Sequence, residues 1–454
     1  MPLSEFPGPL ENASGSEGPE VRTPPPGPMS RAAAGRLAEV ECPAFGQRRR
    51  DRAAVSGVEL GPILLQSGRG SNLFDVDGNR YVDLAAGFGS LLLGHGATSA
   101  IRAMEAQADR LVQALGDVYS GDSKIALLER LVALHPGTKP KGLLTQSGSD
   151  AVTAAIKTAM LATGKPGLVA FEGAYHGLGY APLPACGLRE SLRAPFTAQL
   201  NPRVAFAPYP RAEADLDRAL GAVEAALRAG ETGAVLVEPI LGRGGCVVPP
   251  ASFLKDLCDL AHRHGALVIA DEIWTGLGRS GAMVRSTAAG AAPDILCFGK
   301  GLGGGLPISA CVASDDVMSS WARVTEVVHT STHAGWPLAC ATAIATLDAI
   351  RFRQLVPRAR DAGERFLALL RGELANVRGF VEARGAGMMI GVELTDGALA
   401  THAARALLAA GYIVLAGGVR GETLTLTPAL TIDEELLTPV ARALRTILEA
   451  APAA

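Results

Sequence analysis

The chain has 454 residues, of which 48% are hydrophobic and 19% charged, with a formal net charge of −3. That is enough apolar material to bury the core of one large domain and a smaller one. Lys and Arg are spread along the chain. This argues against a nucleic-acid surface or a polybasic membrane patch and leaves small molecules and other copies of the chain as the expected partners.

Residues 1–30 lack the basic start and apolar core of a secretory signal. They form a Pro/Gly/Ser-rich tail, with PPPGP at 24–28, for which disorder is expected. RAAAGRLAEVE at 31–41 predicts a helix. SNLFDVDGNRYVDL at 71–84 predicts a hairpin turned at Asp77-Gly78, because two alternating segments flank a pair that tolerates positive φ. SAIRAMEAQADRLV and SKIALLERLVAL carry apolar residues at three- and four-residue spacing and predict amphipathic helices.

From about 142 to 313 the pattern changes to short apolar runs: KGLLTQ, GLVAFE, VAFAP, GAVLVEP, GALVIADE, DILCFGK and ISACVAS. Helical patterns such as AVTAAIKTAML and ASFLKDLCDLAHRHG lie between most of them. Continuous runs separated by helices predict an α/β fold, a mostly parallel sheet covered on both faces. The C-terminal part, FVEARGAGMMIGVEL through TLTLTPALTI and a last helix, predicts a compact α+β unit packed with the hairpin. The expected division is a tail at 1–30, an N-terminal segment of the small domain at 31–95, a large domain at 96–350 and the rest of the small domain at 351–454. No stretch is long and apolar enough to span a bilayer.

The seven cysteines form no CxxC pair, and several sit in apolar runs, as Cys297 and Cys311 do. They are expected to be buried, reduced thiols in a cytoplasmic protein. The eight histidines show no metal-ligand spacing, and no metal is expected.

An open parallel sheet places its ligand site beyond the carboxyl ends of its strands, so the residues just after the apolar runs come first. Asp271 ends ALVIADE, where a buried carboxylate needs a cationic or hydrogen-bonding partner. Lys300 follows DILCFG and precedes GLGGG; desolvation there lowers its pKa and makes it a competent amine nucleophile. Gly148 and Ser149, in TQSGSDAVTAAIKTA, open a helix whose N–H groups and hydroxyls suit a phosphate. Tyr175 and His176, in FEGAYHG, put an aromatic face beside them. Pyridoxal phosphate (PLP) demands this set: a lysine for its aldehyde, an acid for its pyridine nitrogen and a cradle for its phosphate.

The segments SGSDAV, GAYHG, VEPILGRGG, ADEIWTGLGRSG, FGKGLGGGLPISA and HTSTHAGWPLACA together resemble the class III aminotransferases of PLP fold type I. The likeness runs in order from about Phe74 to the C-terminal helix. It implies a homodimer with shared active sites. It implies that Lys300 forms the Schiff base, Asp271 holds the pyridinium, Gly148 and Ser149 bind phosphate and Tyr175 stacks on the ring, with Ile273 on the opposite face. Glu238 in VEPI matches an active-site glutamate, and Thr332 a phosphate-binding threonine donated by the neighbouring subunit.

Departures from the family pattern concern substrate. Trp274 stands where many members have Gln, and Arg243 where many have a glutamate paired with a substrate-binding arginine. That arginine is absent too, with Thr425 in its place. A substrate carboxylate then needs another cation, for which Arg243 at a strand end and Arg420 on a glycine-flanked loop are the candidates, Arg243 being preferred. The resulting reading is a PLP-dependent aminotransferase moving an amino group from an amine or amino-acid donor to an oxo acid, with Lys300 shuttling the proton. An amino-acid racemase or aminomutase on the same scaffold would carry the same residues; a non-catalytic PLP-binding protein is the more remote alternative.

Overall fold

The computed structural model describes residues 14–56 and 61–451. Two helices, α1 (Pro28–Val40) and α2 (Pro43–Ser56), precede the strands β1 (Leu65–Arg69), β2 (Asn72–Asp75) and β3 (Arg80–Asp83). The β2–β3 pair is the hairpin expected at 71–84, with Asn72 opposite Val82 and Gly78 at φ +84 in its turn.

The expected disorder of the tail is corrected for residues 14–27; residues 1–13 lie outside the described residues. Glu20 exchanges both backbone hydrogen bonds with Arg80 at 2.9 Å, and Ser71 N–H donates to the Gly15 carbonyl at 2.7 Å. Asn72 accepts from Glu17 N–H, and Asn79 accepts from Arg22 and Thr23 N–H. At the turn, the Asp77 carboxylate caps α1 by accepting from Met29 and Ser30 N–H at 2.7 and 3.0 Å. The tail is therefore held by backbone pairing and buried amide side chains, which an apolar-periodicity reading does not register.

The large sheet takes its seven strands from the seven apolar runs: β4 (Lys141–Thr145), β5 (Gly167–Phe171), β6 (Val204–Ala207), β7 (Thr232–Val237), β8 (Leu267–Asp271), β9 (Ile295–Phe298) and β10 (Ser309–Ala313). Their order is β4-β10-β9-β8-β7-β5-β6. The pairs from β9 to β6 are parallel, and β10 alone runs against both its neighbours. Successive side chains point to opposite faces. Leu168, Ala170, Leu236 and Ile269 pack with Ala151, Val152 and Ala155 of the Gly148–Thr163 helix. Val169, Phe171, Val235 and Val268 pack on the other face with Val223, Leu257 and Leu260 of the Leu216–Arg228 and Phe253–Arg263 helices. Each such fully buried aliphatic stabilises the fold by about 1.5–3 kcal/mol before entropy is counted.

The C-terminal part holds β11 (Phe380–Ala386), β12 (Met389–Leu394), β13 (Tyr412–Ile413), β14 (Leu415–Gly417) and β15 (Thr423–Leu426). Four of them form a sheet ordered β11-β12-β15-β14, while β13 pairs parallel with β3 and so joins the ends of the chain. Among the described residues no helix is long and apolar enough to cross a membrane.

Candidate active site

Five strands of the large sheet deliver functional groups at their carboxyl ends. Asp271 is the last residue of β8, and Glu238 follows β7 directly. Lys300 comes two residues after β9. Its φ of +40° is left-handed, a region that a residue with a Cβ enters at a cost of about 1–2 kcal/mol. Gly299 before it has no room for a side chain, since a Cβ would stand 2.7 Å from Ser309 Oγ. Tyr175 and His176 lie in the loop after β5, and Gly148 opens the helix that follows β4.

These groups surround one cavity of about 250 Å³. Lys300, Asp271, Glu238 and His176 supply its titratable wall, Gly148 and Ser149 its floor, and Tyr175, Ile273 and Trp274 its apolar sides. A larger hollow of about 680 Å³, between the tail residues 14–16 and Phe352, contains none of them. The chemistry therefore assigns the site, and size does not.

Asp271 is 4% exposed. Its Oδ2 lies 2.7 Å from His176 Nδ1, and its Oδ1 accepts from Ile273 N–H at 3.2 Å. His176 Nε2 is buried with no hydrogen-bond partner among the described residues. The neighbouring Glu272 turns away from the cavity and accepts from Ser286 N–H and Oγ. Glu238 accepts from Tyr175 N–H at 2.8 Å and Gly242 N–H at 2.9 Å. Burial raises its pKa foremost, His176 opposes that, and Asp271 adds to it. Burial lowers the pKa of Lys300, Asp271 and Glu238 pull it up, and Arg243 pushes it further down. The Lys300 Nζ stands 4.6 Å from the Trp274 ring centroid.

The start of the Gly148–Thr163 helix is free to bind an anion. Ser147 Oγ caps it by accepting from Asp150 N–H at 3.2 Å, while Ser149 Oγ accepts from Gly179 N–H at 3.0 Å and keeps its own proton to donate. Gly148 lets Ile273 pack close to the helix start, since a Cβ there would meet Ile273 Cδ1 at 2.9 Å. A buried amine, a buried carboxylate and an open helix N-terminus, with an aromatic and an aliphatic side chain between them, form a donor set that fits pyridoxal phosphate.

Three expected residues lie outside this lining. Arg243 sits at the rim with its guanidinium 4.5 Å from the Tyr175 ring centroid. Arg420 is exposed on the loop before β15, its N–H donating to Glu422 Oε2 at 2.8 Å. Thr332 is exposed, and its carbonyl accepts from Gln113 Nε2 at 2.6 Å. The sequence reading missed Gly177 and Leu178, which also line the cavity. The glycine after Tyr175-His176 was the available signal: it has φ +105° and lies against Ser149. It also missed Arg189, whose guanidinium donates to the Val419 and Gly418 carbonyls of the loop that bonds the Arg243 carbonyl.

The family model described as aminotransferase class-III matches residues 54–448. The acetylornithine aminotransferase of Methanothermobacter thermautotrophicus is 34% identical, over 82% of this chain and 90% of its own. The 4-aminobutyrate aminotransferase of Mycobacterium tuberculosis is 33% identical, over 86% and 92%. An amine transaminase from an uncultivated Pseudomonas species, solved in its PLP-bound form, superposes with a TM-score of 0.77 at 29% identity, over 85% of this chain and 94% of that one.

Proposed function

The chain belongs to the class III aminotransferases, with their PLP fold type I, and from that premise we propose how its own residues divide the work of amino transfer. It is a PLP-dependent aminotransferase, and amine or amino-acid and oxo-acid substrates fit that activity. The cofactor, when bound, supplies an electron sink that stabilises negative charge on the substrate carbon. Everything else falls to the protein.

Lys300 is the catalytic amine. Burial lowers its pKa, which favours the neutral amine that would attack a carbonyl carbon and, once released, would take a proton from the substrate carbon and return it. Asp271 would hold the cofactor's ring nitrogen and keep it protonated, with His176 fixing the carboxylate's orientation. Gly148 and Ser149 hold the phosphate at the helix N-terminus. Tyr175 and Ile273, both lining the cavity, would confine the ring from its two faces. Glu238, tied to two backbone N–H groups, holds the Tyr175 loop against β7. Trp274 packs against the Lys300 amine and restricts where it swings. The observation that carries the reading is the meeting of Lys300, Asp271 and the open helix start in one buried cavity.

The working unit in this proposal is a homodimer. Thr332 lies outside the lining of its own cavity and is bonded through its carbonyl to Gln113, in a segment where Val112, Leu115, Val118 and Tyr119 are exposed, as Val327 is; a second copy would cover this apolar surface. Thr332 would then complete the partner's phosphate site. The absence of any disulfide among seven free cysteines supports a reducing, cytoplasmic setting. Arg243 and, less directly, Arg420 are the cations for a substrate carboxylate.

A panel of amines and oxo acids, read by the change in cofactor absorbance, tests the function. An aminotransferase stops after one equivalent of amine without an acceptor. Continued turnover of an amino acid without any oxo acid would replace this reading with a racemase.

A further inference from the structure

The Gly148–Thr163 helix does more than open the phosphate cradle. Along its length it holds a distant stretch of chain, residues 321–336, that includes Thr332. Trp321 Nε1 donates to Thr158 Oγ1 at 2.9 Å, and Lys157 Nζ donates to the Val328 carbonyl at 2.7 Å. One residue on, His329 Nε2 lies 3.4 Å from Asp150 Oδ1, with its side chain only 10% exposed. Asp150 and Lys157 stand about two helical turns apart, so one face of the helix meets the stretch.

Residues 324–336 belong to no helix or strand. The place of Thr332 is therefore set by side-chain contacts at two ends. At the far end its carbonyl accepts from Gln113 Nε2 at 2.6 Å, and Trp336 Nε1 donates to the Val112 carbonyl at 2.8 Å. At the near end the anchor is Asp150, in the first turn of the helix. Its N–H donates to Ser147 Oγ at 3.2 Å, and its Oδ2 accepts from Gln146 N–H at 3.4 Å. Asp150 thus joins the turn that would receive phosphate to the stretch that carries Thr332.

We propose that Asp150 and His329 are positioning residues that couple the two cofactor sites of a dimer. Phosphate seated on Gly148 and Ser149 fixes the first helical turn, and Asp150 with it. Asp150 then holds His329, and His329 sets where Thr332 is presented to the neighbouring subunit. Loading one site prepares the other, because the ordered strap favours the cofactor-bound partner. The coupling rests on the homodimer reading, in which Thr332 completes the partner's phosphate site.

The test strips the holoenzyme of cofactor and titrates PLP back, read by cofactor absorbance, while amide hydrogen exchange follows residues 324–336. The second binding step should be about fivefold or more tighter than the first, and the strap should gain protection. His329→Ala should remain a dimer in sedimentation and still bind PLP, yet lose both the coupling and the protection. His329→Gln, whose amide can still donate to Asp150, should recover part of both, which a general packing defect would not. Asp150→Ala, at the partly exposed helix start, should match His329→Ala, and the double variant should be no worse than either. Independent binding steps in the wild type, or coupling that survives His329→Ala, would overturn the proposal. Thr332→Ala separates it from the reading beneath. If that variant binds PLP more weakly while the wild-type steps are independent, the shared site stands and only the coupling falls. If it binds PLP as the wild type does, the shared site falls and the coupling with it.

Discussion

His176 Nδ1 and Asp271 Oδ2 stand 2.7 Å apart with both side chains almost wholly buried. The imidazole spans the space between the carboxylate and the protein behind it, so Asp271 does not face the cavity as an unsupported charge. Removing the hydrogen-bond partner of a buried carboxylate costs about 1–3 kcal/mol, because the carboxylate is left desolvated. His176→Ala should therefore lower the stability of the apoenzyme by that amount in urea titration. Asp271→Asn should weaken stability less, since the amide still bonds His176, yet cut kcat about 100-fold or more by removing the charge opposite the ring nitrogen. A fully active Asp271→Asn enzyme would remove Asp271 from the proposed machinery.

Lys300 ties the mechanism to a pH effect. Its pKa is lowered in the folded protein, with burial the largest cause, from an ordinary value of 10.5. The unfolded chain then binds the proton more tightly than the folded one. Protonated Lys300 thus destabilises the apoenzyme at low pH, and the penalty fades as pH rises through the folded pKa towards 10.5. Lys300→Met should melt at a higher temperature than wild type near neutral pH, with the gap closing on the alkaline side, and should lose transamination entirely. A melting difference that does not change with pH would contradict the desolvated amine.

Gly89 meets Trp274 by shape. Its φ is +79°, and a Cβ on it would lie 2.2 Å from the indole Nε1, which is itself buried without an acceptor among the described residues. Gly89→Ala should cost about 1–2 kcal/mol for the backbone and more for the displaced indole, visible as a lowered urea midpoint. Trp274→Phe in the same chain should recover the steric part alone. Recovery to full wild-type stability would mean that the left-handed backbone at 89 carries no cost.

Thr332 offers a test of shared sites. If it serves the partner's phosphate, a mixed dimer of Lys300→Ala and Thr332→Ala chains holds one intact site, made of Lys300 from one chain and Thr332 from the other. Co-refolding the two variants should raise activity above that of either alone, measured at limiting cofactor. No gain on mixing, or a fully active monomer in sedimentation, would place Thr332 outside the site.

The seven strands of the large sheet were legible because each is a continuous apolar run, and a doubly covered sheet leaves no polar face to break it. Lys300, Asp271 and Gly148 were legible because they follow such runs. The reversed direction of β10 was not, since its antiparallel register with Thr145 and Phe298 is set between strands rather than along them. The docked tail escaped for a related reason: its hold is Asn72, Asn79 and Asp77 accepting from backbone N–H groups, which reads as polar loop. Arg189 and Arg243 flank the same Gly418–Val419 loop only because the topology brings three distant segments together. Chain distance hides that meeting completely.

Arg243 carries the last prediction. A carboxylate entering a partly dry cavity needs a cation, and an unpaired charge there costs several kcal/mol. Arg243 follows β7 by a short turn, its carbonyl is held by Gly418 N–H, and its guanidinium rests on Tyr175, so its position is set before any substrate arrives. Arg420 is exposed on the loop that Arg189 and Arg243 hold down and has no comparable support. Arg243→Ala should raise KM for the carboxylate-bearing substrate and lower its kcat/KM by about 2–5 kcal/mol in transition-state binding if the pair is desolvated. Arg243→Lys should recover only part, because an ammonium cannot present the planar fork. The half-reaction of a simple amine without a carboxylate should fall much less, which separates carboxylate binding from a general disturbance of the Tyr175 loop. An equal fall in both half-reactions would mark Arg243 as structural, and a selective loss in Arg420→Ala alone would move the anchor to the loop.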